Sequence, residues 1–257
     1  MLISTKDLQE ILGQQNLLVV DCRSFREYSQ GHIPGSVNLD LFAFHWFDTS
    51  KEGLQTFNEQ ARQLFSFVGI TSKKKVVFYD DVSGMLAARG VWLLTYFSHN
   101  NTFMLDGGLQ KWKSDGMKIE MTTNGFSPTK FDGIPNPNLL AGYEYIRENL
   151  GKIVLIDARS SEEYSGKVVR GARRGHIPGA INVDYMSNIS SDGTIKDTDE
   201  LDTLYKIPKD SEIVTYCQGA YRAANSFVVL KRLGFENVRV YLGSWGEWSN
   251  REDLPIE

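Results

Sequence analysis

The chain reads LLVVDCRSFREYSQGHIPGSVNLD at residues 17–40 and IVLIDARSSEEYSGKVVRGARRGHIPGAINVD at residues 153–184. Both stretches open with an apolar run, continue as D-x-R-S and reach G-H-I-P-G before a second apolar run. Asp21 and Asp157 are equivalent positions 136 residues apart, and an eight-residue insertion precedes the second G-H-I-P-G. This period exceeds the roughly 20 to 50 residues of solenoid repeats. It therefore indicates two homologous globular domains in tandem.

The two copies match again further along the chain. Residues 75–94 align with residues 212–230, and Trp112 recurs 136 positions later as Trp248. The repeat therefore spans most of the sequence.

A linker separates the copies. Residues 121–138 hold three of the seven prolines, a composition typical of an interdomain segment. We expect a first domain at residues 1–120, a linker at 121–138 and a second domain at 139–257.

Short β-branched runs alternate with helical patterns in both copies. The predicted strands are 17–21, 75–80 and 103–105, then 153–157, 212–217 and 238–242. The predicted helices are 5–12, 53–68 and 83–97, then 139–149, 198–205 and 222–233. Strands that are apolar on both faces and separated by helices predict an α/β fold, a parallel sheet with helices on both faces in each domain.

Composition excludes several classes of protein. The 257 residues carry a net charge of −4 and no basic stripe of the kind that contacts nucleic acid. No apolar run approaches the roughly 18 residues that cross a bilayer, and the first residues show no export signal. Two cysteines, 195 positions apart, fit neither a disulfide framework nor a zinc site. We expect a cytoplasmic monomer without metal or cofactor that binds neither nucleic acid nor membrane.

The two copies differ where a strand runs into a helix. The first copy has Asp80 at the end of VVFYD, and the second has Cys217 at the end of IVTYC, followed by Gln-Gly-Ala-Tyr-Arg. In an open parallel sheet, ligands bind at the carboxyl ends of the strands, next to helix N-termini. A short loop curled around the sulfur, with Arg222 nearby, favours thiolate over thiol.

A cysteine can also be unreactive. Cys217 could instead be a small buried hydrophobe, as most free cysteines are. Cys22 has no glycine-containing loop behind it, so the sequence favours a packed and unreactive thiol there.

At these residues the chain resembles the rhodanese family of sulfurtransferases, in the tandem form with a silent first and an active second domain. The resemblance covers nearly the whole chain. It rests on the doubled D-x-R and G-H-I-P-G segments, the Y-C-x-G-x-x-R loop, Asp80 in place of cysteine, and G-x-W-x-x-W at 243–248. It implies two tandem rhodanese-like domains and double displacement: Cys217 takes sulfur from thiosulfate and passes it on to a thiol, cyanide or a protein thiol.

The resemblance also implies a site for a small anionic sulfur donor. Arg159 matches a family arginine that helps to bind the donor, although it could instead pair with Glu163 or the neighbouring aspartate. Backbone amides of the loop would hold the negative charge; the residues concerned are Gln218, Gly219, Ala220, Tyr221 and Arg222. For Arg173 and Arg174, which belong to the insertion, two positions are open: the entrance to the same donor site, or a solvated loop.

Departures from the family pattern bear on the substrate. Arg222 at the sixth loop position favours a small inorganic anion, but Glu163 replaces an arginine of other members and argues against strong anion binding there. The alternative donor is 3-mercaptopyruvate. A Cys-dependent phosphatase is disfavoured, because Cys217 and Arg222 are separated by four residues rather than five. A non-catalytic interaction module is disfavoured for the second domain and favoured by Asp80 for the first.

Overall fold

The chain divides into two compact units in the computed structural model, which describes every residue from Met1 to Glu257. The first unit contains Met1–Phe44, Phe57–Pro135 and Ile189–Ile195. The second unit contains His45–Thr56, Asn136–Asn188 and Lys196–Glu257. Each unit therefore combines one copy of the repeat with a short segment from elsewhere in the chain.

The first copy supplies five strands and five helices. Its strands are β1 (Leu2–Ile3), β2 (Leu17–Asp21), β3 (Val37–Asn38), β4 (Lys75–Tyr79) and β5 (Thr102–Leu105). Its helices are α1 (Thr5–Ile11), α2 (Phe25–Ser29), α3 (Lys51–Val68), α4 (Met85–Tyr96) and α5 (Gly108–Ser114).

The second copy repeats this order. Its strands are β6 (Leu140–Ala141), β7 (Val154–Asp157), β8 (Ile181–Asn182), β9 (Ile213–Tyr216) and β10 (Val238–Tyr241). Its helices are α6 (Tyr143–Glu148), α7 (Ser161–Tyr164), α8 (Thr198–Leu204), α9 (Tyr221–Arg232) and α10 (Ser244–Trp248). Three short 3-10 helices complete the chain, at Leu41–Ala43, Pro137–Leu139 and Tyr185–Asn188.

The two sheets share one topology. Their strand orders are β1-β5-β4-β2-β3 and β6-β10-β9-β7-β8, and all strand pairs are parallel. Asp21 pairs with Tyr79 in the first sheet, as Asp157 pairs with Tyr216 in the second. The predicted α/β class, with a parallel sheet in each copy, is confirmed.

The elements that sequence patterns missed are short: the strands at the edges of the sheets and the helices α2, α5, α7 and α10. The outermost strands β1, β3, β6 and β8 have two residues each, too few to show a period. The predicted helix 139–149 was too long, because its first residues form a 3-10 turn and strand β6. The longer strands and helices begin and end within a few residues of their predicted bounds.

Buried apolar side chains hold each sheet to its helices. Helices α4 and α9 each bury nine of their 12 residues, which makes them the central helices of their units. Trp112 and Trp248, equivalent in the repeat, lie in the two cores at 1% and 0% exposure. Among the helices, none combines the length and the apolar character that spanning a bilayer requires.

Candidate active site

The loop between β9 and α9 starts at Cys217, which is buried with 1% of its surface exposed. Ala220 ends the loop in the left-handed conformation, with φ of 64°, and is the N-cap of α9. A non-glycine residue at positive φ is uncommon and strained, and such residues cluster at functional sites. The loop therefore turns sharply at the N-terminus of a buried helix, where the aligned peptide dipoles favour an anion.

Ser244 fixes this loop from the neighbouring strand end. Its hydroxyl accepts hydrogen bonds from the Cys217 amide at 3.2 Å and the Ala220 amide at 3.0 Å, and it donates to the Tyr241 carbonyl at 2.8 Å. Ser244 also has a positive φ, 52°, where the first copy has Gly108 with φ of 55°. Ser244 was not among the predicted site residues, although the serine in place of that glycine distinguishes the two copies.

Arg222 lies in the first turn of α9 and faces two partners. Its two terminal nitrogens bind the two oxygens of Glu163 at 2.5 and 3.0 Å. Burial opposes its positive charge, but the hydrogen bond to Glu163 and the interaction with Cys217, which includes a side-chain hydrogen bond, raise the pKa of Arg222. The guanidinium is therefore held by the Glu163 carboxylate, and its charge interacts with Cys217.

Glu163 has two functions at once. It is the third residue of a capping box with Ser160 at the start of α7, and it is the bidentate partner of Arg222. Burial acts to raise its pKa, but the bond from Arg222 outweighs burial and the pKa of Glu163 is lowered. From the sequence we expected Glu163 to disfavour anions or to pair with Arg159, and its ion pair with Arg222 was not predicted.

The first copy holds a carboxylate where the second holds Cys217. The Asp80 carboxylate accepts hydrogen bonds from the amides of Gly84 at 3.1 Å, Leu86 at 2.9 Å and Ala87 at 3.1 Å, at the start of α4. Burial raises the pKa of Asp80 to about 6, although these amide bonds favour the charged form. A fixed acidic side chain therefore occupies the helix N-terminus of the first unit.

Arg159 pairs with the neighbouring aspartate, one of its two sequence interpretations. Its Nε lies 2.9 and 3.0 Å from the two carboxylate oxygens of Asp157, and its Nη2 donates to Asp157 at 2.6 Å and to the Gly175 carbonyl at 2.8 Å. Arg23 makes the same contacts with Asp21 and the Gly31 carbonyl in the first copy. The D-x-R motif thus builds a buried ion pair in both units.

Arg173 and Arg174 behave differently from each other. The Arg173 guanidinium donates to four backbone carbonyls of the C-terminal segment, those of Trp248, Ser249, Arg251 and Leu254. Arg174 is exposed. Arg173 therefore anchors the insertion to the end of the chain.

A cleft of about 560 Å³ opens beside the loop. It is lined by charged, amide and aromatic side chains and two glycines: Phe47, Asp48, Arg170, Gly171, Gln218, Gly246, Glu247, Asn250 and Arg251. Gln218, the residue after Cys217, donates to the Arg170 carbonyl at 3.3 Å. The two arginines of the cleft already face carboxylates, Arg170 at 3.6 Å from Glu163 and Arg251 at 3.5 Å from Glu247, so an anion that binds here shares these cations with them.

Residues 45–48 of the chain also reach the loop, which the sequence did not reveal. The His45 ring lies edge-on to Tyr221 at 5.0 Å and stacks on Phe47 at 5.6 Å, and Phe47 packs against Gly246. Glu247 holds this segment, because it accepts from the amide and hydroxyl of Thr49 at 2.9 and 2.5 Å. Burial raises the pKa of Glu247.

The structure thus brings together Cys217, the loop residues 218–221 and Arg222, whereas Arg159 is engaged with Asp157. No group of three or more His, Cys, Asp or Glu side chains is arranged to hold a metal ion.

Known proteins are similar to this chain in sequence and in fold. The model of the Rhodanese-like domain matches residues 4–115 and 143–251. A thiosulfate sulfurtransferase of Azotobacter vinelandii is 33% identical, and one of Pseudomonas aeruginosa is 32% identical; each match covers 100% of this chain and 97% of the relative. The crystal structure of SseA from Escherichia coli, described under 3-mercaptopyruvate sulfotransferases, superposes with a TM-score of 0.80 at 27% identity, over 95% of this chain and 98% of the other.

Proposed function

The chain belongs to the rhodanese family, and from that premise we propose that it is a thiosulfate sulfurtransferase that carries sulfur on Cys217. The observation that carries the proposal is the difference between the two copies at one position, where Cys217 replaces the aspartate of the first copy. One backbone position, at the start of a buried helix, holds the fixed carboxylate of Asp80 in the first unit and the thiol of Cys217 in the second. A position where backbone amides of a helix N-terminus face an acidic side chain thus holds a thiol in the second copy.

The first half-reaction loads the sulfur. The Cys217 thiolate attacks the outer sulfur of thiosulfate, a sulfur–sulfur bond forms to the cysteine, and the bond within thiosulfate breaks. Its electron pair leaves with sulfite, so three negative charges enter the step and three remain, one on the persulfide and two on sulfite. Sulfite leaves as an anion and requires no general acid.

The second half-reaction empties the site. A nucleophilic acceptor attacks the outer sulfur of the persulfide, takes it, and returns Cys217 as thiolate. With cyanide the product is thiocyanate; with a thiolate it is a new persulfide. Arg222 supports both halves, because the charge of its guanidinium interacts with Cys217 and stabilises negative charge on the sulfur.

The cleft supports a small anionic donor. Arg170 and Arg251 line it together with Gln218 and Asn250, and the first of these arginines is largely exposed. The alternative donor, 3-mercaptopyruvate, has a carboxylate that the same arginines could bind, and the likeness to SseA favours keeping it as the second candidate.

We also propose a reducing compartment such as the cytoplasm, since both cysteines are free thiols and the mechanism requires one of them as thiolate. A monomer suffices for this chemistry, because every residue named in it comes from one chain.

A panel of donors tests the proposal. Wild type, Cys217→Ser and Cys22→Ala are assayed with thiosulfate, 3-mercaptopyruvate and p-nitrophenyl phosphate, with cyanide as acceptor for the sulfur donors. We expect thiocyanate from thiosulfate with wild type and with Cys22→Ala, and none with Cys217→Ser. Phosphate release that depends on Cys217, with no thiocyanate formed, would overturn the proposal. Faster turnover of 3-mercaptopyruvate than of thiosulfate would replace the proposed donor and leave the role of Cys217 unchanged.

A further inference from the structure

The insertion at residues 167–174, KVVRGARR, is the most basic stretch of the chain. It holds four of the 28 basic residues and none of the 32 acidic ones, in a protein whose net charge is −4. The first copy lacks it, because Ser29 and Gln30 lead there directly into G-H-I-P-G. The fold therefore does not require it, which leaves its function to be explained.

The insertion is held firmly in place. Arg173 donates to four carbonyls of the C-terminal segment, and the Val168 amide donates to the Glu162 carbonyl at 2.9 Å. Gly171 packs so closely that an added Cβ would lie 2.3 Å from the Ser249 hydroxyl. This segment consequently presents a defined surface.

That surface combines apolar and basic side chains and adjoins the cleft. Val168 and Val169 are 42% and 53% exposed, and Lys167, Arg170 and Arg174 are exposed around them. Arg170 also lines the cleft and its carbonyl accepts from Gln218, the residue after Cys217. The insertion thus extends outward from the mouth of the proposed active site.

A small donor anion does not account for this composition. It would contact the arginines of the cleft. It would not contact the two exposed valines, or Lys167 and Arg174, which lie outside the cleft. Exposed apolar side chains next to an excess of basic ones, with Glu162 and the ion-paired Glu163 as the neighbouring acids, suit a protein interface with a partner of opposite charge.

We propose that residues 167–174 form a docking surface for an acidic acceptor protein with an exposed cysteine, an inference that rests on the proposed function. The acceptor thiolate attacks the outer sulfur of the Cys217 persulfide, its new sulfur–sulfur bond replaces the one to Cys217, and the electron pair leaves with the Cys217 thiolate. No oxidant or reductant is consumed. Docking serves to bring the acceptor cysteine to the mouth of the cleft.

Single-turnover transfer from the isolated persulfide form tests this proposal. Three acceptors are compared: a peptide with a central cysteine among leucine, aspartate and glutamate; the same peptide with asparagine and glutamine in place of the acids; and neutral dithiothreitol. The docking variants are the pairs Lys167→Gln with Arg174→Gln and Val168→Ser with Val169→Ser. The control pair is Lys6→Gln with Lys130→Gln, which removes the same charge from exposed positions of the first unit.

We expect wild type to transfer sulfur to the acidic peptide about tenfold faster than to its neutral analogue at low salt, and to lose this preference as salt rises. The Lys167/Arg174 pair should remove the preference, and the valine pair should slow both peptides. Transfer to dithiothreitol should be unchanged in both docking variants, and the control pair should match wild type throughout.

Equal rates for the two peptides with wild type would overturn the docking proposal. So would equal losses in the control pair and the Lys167/Arg174 pair. Failure of the proposed function is distinguishable, because wild type would then form no persulfide from thiosulfate and transfer nothing to dithiothreitol.

Discussion

Neutralising Glu163 tests the ion pair that holds Arg222 beside Cys217. The side chains of Glu163 and Arg222 are 3% and 14% exposed, and two hydrogen bonds of 2.5 and 3.0 Å join them. Removing one partner of a buried pair costs about 3 to 5 kcal/mol. Glu163→Gln keeps the shape and one neutral hydrogen bond, so we expect a loss of about 2 to 3 kcal/mol in the free energy of unfolding at pH 7.

The same substitution should change the pH dependence of stability. The folded protein lowers the pKa of Glu163 below its ordinary value of 4.5, so its contribution is fully present above that value. The contribution disappears as pH falls through the lower pKa of the folded state. The stability difference between wild type and Glu163→Gln should therefore be largest near pH 7 and shrink below pH 4.5.

Urea denaturation followed by tryptophan fluorescence measures this difference, and Glu27→Gln is the matched control. Glu27 completes the equivalent capping box with Ser24 but forms no ion pair with an arginine on a central helix. We expect Glu27→Gln to lose less than about 1 kcal/mol. Persulfide formation should also slow in Glu163→Gln alone, because Arg222 loses its anchor. Equal midpoints for the two variants, or a difference that persists unchanged at pH 3, would refute this reasoning.

Three further predictions follow from the loop and its surroundings. Ser244→Ala leaves the amides of Cys217 and Ala220 without their acceptor, so persulfide formation should slow at least tenfold in stopped-flow assays, while the circular dichroism spectrum stays unchanged. Asp80 has its pKa raised from 3.8 to about 6, so wild type should lose about 3 kcal/mol relative to Asp80→Asn as pH rises from 3.5 to 7.5, measured by denaturation at each pH. Arg173→Ala removes bonds to four carbonyls and should destabilise by about 2 to 4 kcal/mol, with faster amide exchange confined first to residues 248–257.

Local patterns were sufficient to predict the framework of the fold. The apolar run at residues 17–21 forms β2 with those bounds, and the pattern at 198–205 forms α8 over Thr198–Leu204. Runs of this kind carry their own period and their own start and stop signals. The position of the Cys217 loop is local in the same sense, since a strand, a short loop and a helix follow one another in sequence.

The surroundings of that loop depend on contacts between distant residues, and no local pattern reveals them. Glu163 and Arg222 are 59 positions apart, and Thr49 and Glu247, which hold the aromatic segment near the loop, are 198 apart. Arg159 differs, because its aspartate partner is only two residues away in the sequence. Even so, the sequence alone did not decide whether Arg159 pairs with that aspartate or binds an anion. Such choices are made by burial and geometry in the folded chain.

Intact-protein mass spectrometry tests the central claim most directly. After brief treatment with thiosulfate and removal of excess donor, wild type and Cys22→Ala should each gain about 32 Da, the mass of one sulfur atom, and digestion should place that gain on the peptide containing Cys217. Cyanide should remove the added mass and release an equal amount of thiocyanate. Cys217→Ser that gains the same mass, or wild type that gains none, would contradict the account of Cys217 as the sulfur carrier.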